Sequence, residues 1–569
     1  MDDAPKKQLQ QRALAVLALA AAALLIHALA INNPFLIDDH SAIQQHPDVQ
    51  DFAGGLRLWT HHYWQGSPSL DDQLYRPVTV FSYWLSQRIT PNSAAGFRIV
   101  NLLLLAGVAL CVVSWLKRYA GLLPALIAGA LVLTHPANTE AINHLVGRAD
   151  LLAVLGVAGF LALQARAQQV GWTWPSIAGA AALTLIALGS KESGLALIPC
   201  ALAQWWVGTP STNPITHNEP QPSGGGPTTH GQANACRTTR GICPKRAFFF
   251  ALFLPAAAYL AARLAVVGLP AGYAATTDDL TGNPLRSMGL LDRLPEVCAV
   301  AGWYVKQFAW PSTTYNHTPA PGAIGTWRAL SFLGVAAYVV LIAGVAALSR
   351  KRRAALVPAV LFLAHLLIVG HLLTVTGAYA ANRLTIATTM AGAMLVGLLL
   401  AKLINRSPFH RHSVLAAAIL IALAFTFLTA RANRAWSSEL ARMHADVQAD
   451  DEDPIALYWL GQAQLAYDAD AGVSHLKRAA ALAPASNQAG AALADALLAT
   501  GDDRAAWNHY DTLLKRNAPL TDPQRANAAM AAFNTGRYDR AQQLIEPLPD
   551  VLAKPIRDAL EQVHAEDPE

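Results

Sequence analysis

Charge is what this chain has least of. Asp, Glu, Lys and Arg make up only 14% of its 569 residues, against roughly 25% in soluble domains. Hydrophobic residues make up 53%, and the mean hydropathy is +0.29. That deficit excludes an ordinary soluble globule and points to a polytopic membrane protein. Cysteine is scarce as well. Five residues without regular spacing exclude a disulfide framework, and Cys236 and Cys243 lack the spacing and company of a zinc site. Basic residues are scattered at the ends of apolar runs and are not gathered on one face with aromatics, which excludes nucleic acid as a partner.

Apolar length is what the chain has in excess. A bilayer takes about twenty apolar residues, and eleven runs qualify in outline: 13–31, 98–116, 121–135, 149–165, 173–189, 194–207, 247–267, 329–349, 354–376, 384–402 and 413–430. The first follows a basic start that resembles a signal peptide. It is long enough to span, and "NNPF" follows it rather than a small-residue cleavage site, so it reads as an uncleaved helix. Lys6, Lys7 and Arg12 put the N-terminus in the cytoplasm. Every second connection is then basic: Lys117 and Arg118; Arg166; Arg237, Arg240, Lys245 and Arg246; Arg350 to Arg353; Lys402, Arg406 and Arg411. The alternation closes without a slip.

The outward connections are 32–97, 134–150, 190–194, 270–327 and 377–384, and the tail from 431 falls on the same side. Within 270–327, "RLPEVCAVAGWYVKQFAW" is apolar but interrupted. A crossing there would break the charge alternation, so an interfacial amphipathic helix is expected. Residues 208–246, dense in Pro, Gly, Ser and Thr, read as a disordered cytoplasmic linker. Beyond residue 430 three segments repeat, with Gly472, Ala506 and Ala541 at equivalent points, 34 and 35 residues apart. That period predicts tetratricopeptide-style helical hairpins. The expected fold is all-α: a membrane domain over 1–430 with about eleven transmembrane helices, then an α-solenoid of about three repeats over 431–569.

Ionisable residues beside membrane helices are costly and need partners. Here they gather on the outward side: Asp38 and Asp39; Asp71, Asp72 and Arg76; His135, Glu140, His144, Arg148 and Asp150; Lys191 and Glu192; Arg383. Bland readings stand beside the functional one. Arg148 with Asp150, or Lys191 with Glu192, would pair as neighbours at helix ends. Glu140 and His135 would cap or bridge helices, and Asp71 and Asp72 would be solvated loop charges.

The stretches "IDDHSAI", "YRPVTVFSYWL", "FRIVNLLL", "THPANTEAINHLVGRADLLA", "SKESGLALIP", "TGAYAANRLTIATT" and "NRAWSSELARMHADV", in that order along nearly the whole chain, resemble the TMTC family. These are membrane O-mannosyltransferases with a tetratricopeptide tail, within the wider C-type (GT-C) glycosyltransferase superfamily. The family's Glu-Arg before helix ten reads Asn382-Arg383 here. The resemblance implies transfer of a hexose, by kinship mannose, from a polyprenyl-phosphate donor to a hydroxyl of a protein or glycan acceptor. The absence of a sugar-nucleotide phosphate motif fits such a donor. Asp38 or Asp39 would be the base, its neighbour orienting the acceptor or holding a divalent metal, for which spacing identifies no further ligand. Arg383, Arg148 and Lys191, with Arg76 behind them, would meet the phosphate. Glu140, His135, Asp150 and Glu192 would support them. In a double-membrane bacterium the protein would sit in the inner membrane with its repeats in the periplasm, presenting the acceptor. Two other classes stay open: a membrane-anchored scaffold acting through its tail, and a transporter, which the clustering at helix ends rather than at mid-bilayer disfavours.

Overall fold

The computed structural model describes residues 17–66, 74–208, 242–268, 280, 282–311, 316–317, 324–373 and 375–566, apart from positions 20 and 352. The apolar runs are helices. After an irregular first loop come α1 (Pro77–Ile89), α2 (Ala94–Ala120) and α3 (Leu122–Thr134), then α4 (Thr139–Asn143), α5 (Arg148–Val170), α6 (Trp174–Ser190) and α7 (Leu197–Val207). Next are α8 (Leu254–Val267), α9 (Leu294–Ala309), α10 (Ala329–Lys351), α11 (Leu356–Val369), α12 (Ile386–Ile404) and α13 (Pro408–Ala435). Residues 209–241 of the expected linker lie outside the described residues, as do Asp71 and Asp72; the helical run beyond the linker already begins at Pro244.

Among the described residues six helical segments are long and apolar enough to cross a membrane, and counting the bent pair 122–134 and 136–143 makes seven. Shorter apolar helices, Trp174–Ser190 and Arg353–Val369, stand beside them. Of these, α6, with 17 residues, rises only about 25 Å. The shortening lies at one end of the bundle, where helices stop early and continue as 3-10 turns. Pro136 ends α3, because the residue before a proline is pushed out of the helical region; His135 there is extended at φ −67°, ψ 119°. Lys191 closes α6 in extended conformation, and a 3-10 turn, Glu192–Ala196, follows. Further 3-10 turns, Leu145–Gly147 and Asn382–Thr385, precede α5 and α12. This ring of turns sets polar side chains where continuous helix would have set apolar ones.

The other end of the bundle carries the basic last turns of α2 (Lys117, Arg118) and α12 (Lys402). The outer helix α13 exposes Phe409, Leu420 and Phe427, as a helix facing lipid does. Helix α9 packs against the bundle, with Glu296, Gly302, Trp303 and Tyr304 buried. Its close approach to α10 runs through Gly302 and Gly334, where a Cβ on either would strike the other helix's backbone. A two-residue antiparallel ladder, Asn316–His317 with Ala380–Ala381, is the one sheet among the described residues.

After α13 the chain turns at Trp436 into α14 (Glu439–Ala449). Three hairpins follow: α15 (Pro454–Gln464) with α16 (Ala469–Leu482), α17 (Asn487–Ala499) with α18 (Asp503–Lys515), and α19 (Asp522–Asn534) with α20 (Tyr538–Ile545). The chain closes on α21 (Asp550–Glu566). Each helix packs on its neighbours in sequence, around a core of its own that includes Leu476, Tyr510 and Leu513. Asp453, Asp468, Ser486, Asp502 and Thr521 accept backbone N–H bonds at successive helix starts, which fixes where each helix begins.

Candidate functional site

The turns at the polar end converge on the acidic pair, and the two aspartates part ways. Asp39 is fully buried. Its Oδ2 accepts the N–H of Leu36 at 3.1 Å and its Oδ1 that of Val146 at 3.0 Å. It thus pins the first loop to the turn before α5. Burial pushes its carboxyl up to about 7, against the pull of those N–H groups and of Arg98. Asp38 points the other way, with its side chain 41% exposed. Crowding by the surrounding protein raises its carboxyl above the ordinary range, and the Arg383 charge opposes that rise. The Nε2 of His144 lies 3.8 Å from Asp38 and 3.9 Å from Asp39. Burial holds that imidazole neutral, and its ring stacks on Trp436 at 6.0 Å.

Arg383 acts on Asp38 electrostatically, and Lys191 and Arg76 stand within charge range of one another, Lys191 of Arg383 as well; each of the three cations is set against a carboxylate. Arg383 Nη1 meets Glu140 Oε1 at 2.8 Å, and the Arg383 backbone N–H takes the other oxygen, also at 2.8 Å. Lys191 Nζ meets Asp150 at 2.6 Å. Arg76 grips Glu192 with Nε and Nη2, at 3.2 and 2.6 Å. Glu140 and Asp150 are only 2% exposed, while Arg383 and Lys191 present 18% and 13% of their side chains. The carboxylates hold the cations from behind. In the third pair the order reverses: Glu192 is 33% exposed and Arg76 13%. Burial pushes Glu192 up, but Arg76 outweighs it and leaves the carboxyl below its usual range. Arg383 and Lys191 are accordingly the better-placed cations for an anion arriving beside Asp38, and charge held in place before the ligand arrives costs no reorganisation.

Two expectations are corrected. Arg148 cannot serve a donor phosphate from this position. It is fully buried and donates to Asn101 Oδ1, Ser82 O, Ser86 Oγ and Phe97 O at 2.7–3.0 Å, with Tyr83 and Phe97 against its guanidinium. A charge in the bundle must be satisfied by the bundle, and α1 and α2 supply the acceptors. The neighbour pairs Arg148–Asp150 and Lys191–Glu192 are not made either. Adjacent residues about an extended Lys191 point apart, so Lys191 reaches Asp150 while Glu192 meets Arg76. His135 plays the capping part: its Nδ1 accepts the Ala137 N–H at 3.3 Å, its Nε2 faces Phe308 O at 3.0 Å, and its ring stacks on Phe308.

Other residues of this corner carried no signal of their own. Arg98 donates to the carbonyls of Ile31, Asn33, Pro34 and Asn143, stapling the first loop to the turn after α4. Asn33, Asn143 and Asn433 bond one another at 2.7–3.0 Å, tying that loop to α13. Tyr304 of α9 is buried close enough to Asp150, Glu140 and Arg383 to feel their charges. Among the described residues no group of three His, Cys, Asp or Glu is arranged to hold a metal ion.

Curated proteins match this chain over part of its length. Protein O-mannosyl-transferase Tmtc1 of Drosophila melanogaster is 34% identical over 194 residues, which is 32% of this chain and 22% of that protein. Over this stretch the chain is similar to proteins named TMTC O-mannosyl-transferases. Protein O-mannosyl-transferase F38B6.6 of Caenorhabditis elegans is 27% identical over 178 residues, 30% of this chain and 25% of that protein. Human protein O-mannosyl-transferase TMTC4 is 32% identical over 161 residues, 25% and 21% of the two chains. The chain thus matches a quarter or less of the length of each of these relatives. No family model matches it.

Proposed function

We propose that this TMTC-like membrane protein is a glycosyltransferase that moves mannose from a polyprenyl-phosphate donor to a hydroxyl of a protein or glycan acceptor. One arrangement carries the reading: a partly exposed carboxylate, Asp38, under the charge of Arg383, at the end of the bundle where Arg383 and Lys191 are each braced by a buried acid. The acceptor oxygen attacks the anomeric carbon, and its proton passes to Asp38. The bond from that carbon to the phosphate oxygen breaks, and the lipid phosphate leaves with the electron pair toward Arg383 and Lys191. A carboxyl raised by its surroundings suits a base, since proton affinity nearer the working pH helps the transfer. The Arg383 charge opposes that rise.

We place this end on the periplasmic face of a bacterial inner membrane, because Lys117, Arg118 and Lys402 gather at the other end. The stacked hairpins, read as tetratricopeptide repeats, would hold the acceptor. The test is purified protein in detergent with a panel of polyprenyl-phosphate sugars and a mixed protein acceptor. Label transfer from the mannosyl donor, lost in Asp38→Asn, supports the proposal. A folded protein that transfers no sugar but still captures partners through its tail would put a scaffold in its place.

A further inference from the structure

Ile37, the residue before Asp38, has φ +53°. A β-branched residue is a true outlier in the left-handed region, because its Cβ crowds the following carbonyl. Such a conformation persists only where its surroundings over-determine it. On the membrane-domain side the turn is held by Asp39, through the N–H groups of Leu36 and Val146. On the other side the Ile37 N–H donates to Glu439 Oε1 at 3.0 Å, across 402 residues of chain. The same oxygen lies 3.4 Å from His40 Nε2. Glu439 is the first residue of α14, so the contact comes from where the tail begins. That helix start is itself fixed to the site: Trp436 stacks on His144, and Arg442 lies over Trp436 at 5.0 Å.

We propose that Glu439 is a positioning residue: by holding the strained Ile37 turn it aims Asp38 into the site, and so ties the helical tail to the carboxylate. The effect on transfer rests on the role proposed for Asp38; the effect on the loop does not. A tail shifted by its cargo would release or tighten this one hydrogen bond.

Three variants test it: Glu439→Ala, which removes the acceptor; Glu439→Gln, which keeps an oxygen there; and Ile37→Gly/Glu439→Ala, in which glycine adopts the left-handed turn unaided. Hydrogen exchange of the segment 33–46 and steady-state transfer are measured together with thermal melting. Glu439→Ala is expected to speed exchange of that segment and lower kcat about tenfold with donor KM and melting unchanged, as small misplacements of reacting groups do. Glu439→Gln should stay within about twofold of wild type, and the double variant should recover most of the lost kcat. Unchanged exchange in Glu439→Ala, or a double variant as slow as the single one, overturns the proposal. A wild type that transfers nothing sinks the enzymatic reading instead, while the exchange result still decides whether Glu439 anchors the loop.

Discussion

Both ends of the membrane domain carry cations, but they carry them differently. At the site end Arg383, Lys191 and Arg76 lie against Glu140, Asp150 and Glu192. At the basic end Arg353 and Lys402 stand exposed beside a cavity of about 1000 Å³ walled by Val340, Leu341, Leu395 and Leu398. An exposed cation at a membrane surface orients the chain and moves freely. A cation with a buried carboxylate behind it has one position. On the function proposed above, the contrast teaches that counting basic residues bears on topology, whereas the acids behind them mark where an anion would be received.

The largest effect should come from separating the two aspartates. Asp38→Asn is expected to lower transfer by about 10²–10⁴, the usual worth of a positioned base, with thermal melting unchanged. Asp39→Asn should act on the fold: it turns an amide donor toward one of two backbone N–H groups, at about 1–3 kcal/mol. The pH dependence distinguishes them further. Burial holds the Asp39 carboxyl near 7, up from 3.8, against its N–H partners. A proton bound more tightly in the folded state stabilises that state. The contribution is therefore full below about pH 4 and lost as pH rises through about 7. Wild type should lose melting temperature over that window on this account, and Asp39→Asn should lose less. Equal slopes would remove Asp39 from the titration. Full transfer by Asp38→Asn would leave the reaction without its proposed base.

The next effect dissects a braced pair. Arg383→Met alone leaves Glu140 buried without its cation, costing on the order of 3–5 kcal/mol. A drop in activity there could be unfolding. Arg383→Met/Glu140→Gln removes both charges together and should recover most of the melting temperature but not transfer. Because the Arg383 charge holds Asp38 down against burial, the acid limb of any residual transfer should move to higher pH. A double variant as active as wild type would reduce the Arg383–Glu140 pair to a structural brace.

Much of this was readable from sequence, for a local reason. Apolarity and charge alternation depend on neighbouring residues, so the helices and the common side of Asp38, Glu140, Lys191 and Arg383 were in reach. The pairings were not, because they join residues 41, 116 and 243 positions apart and only packing selects them. Arg148 and Arg383 look alike in sequence, each at the start of an apolar helix. One is sealed beneath Tyr83 and the other reaches the surface, and nothing short of the packing of α1 on α5 tells them apart. The strain at Ile37 has no compositional mark at all, since the sequence supplies none of the glycine or asparagine that usually announces a left-handed turn. Glu439 stands in a first helical turn, where acids are common, so its place in the sequence does not mark it.

The smallest effect is expected at the basic end, and it tests the comparison most directly. Arg353→Ala/Lys402→Ala removes two exposed cations. Arg353 also lies over Trp206 at 5.6 Å, an exposed contact worth about 0.5–1 kcal/mol. Transfer should stay within about twofold of wild type and melting within a degree or two, since exposed charges contribute about 0–1 kcal/mol. If these cations only orient the chain, the remaining basic residues of the same end hold the topology and the site never senses the change. A tenfold loss of transfer by correctly inserted protein would mean that the cavity between α10 and α12 acts on the reaction. Cations without carboxylates behind them would then have to be counted as part of the machinery, and the distinction drawn between the two ends would fail.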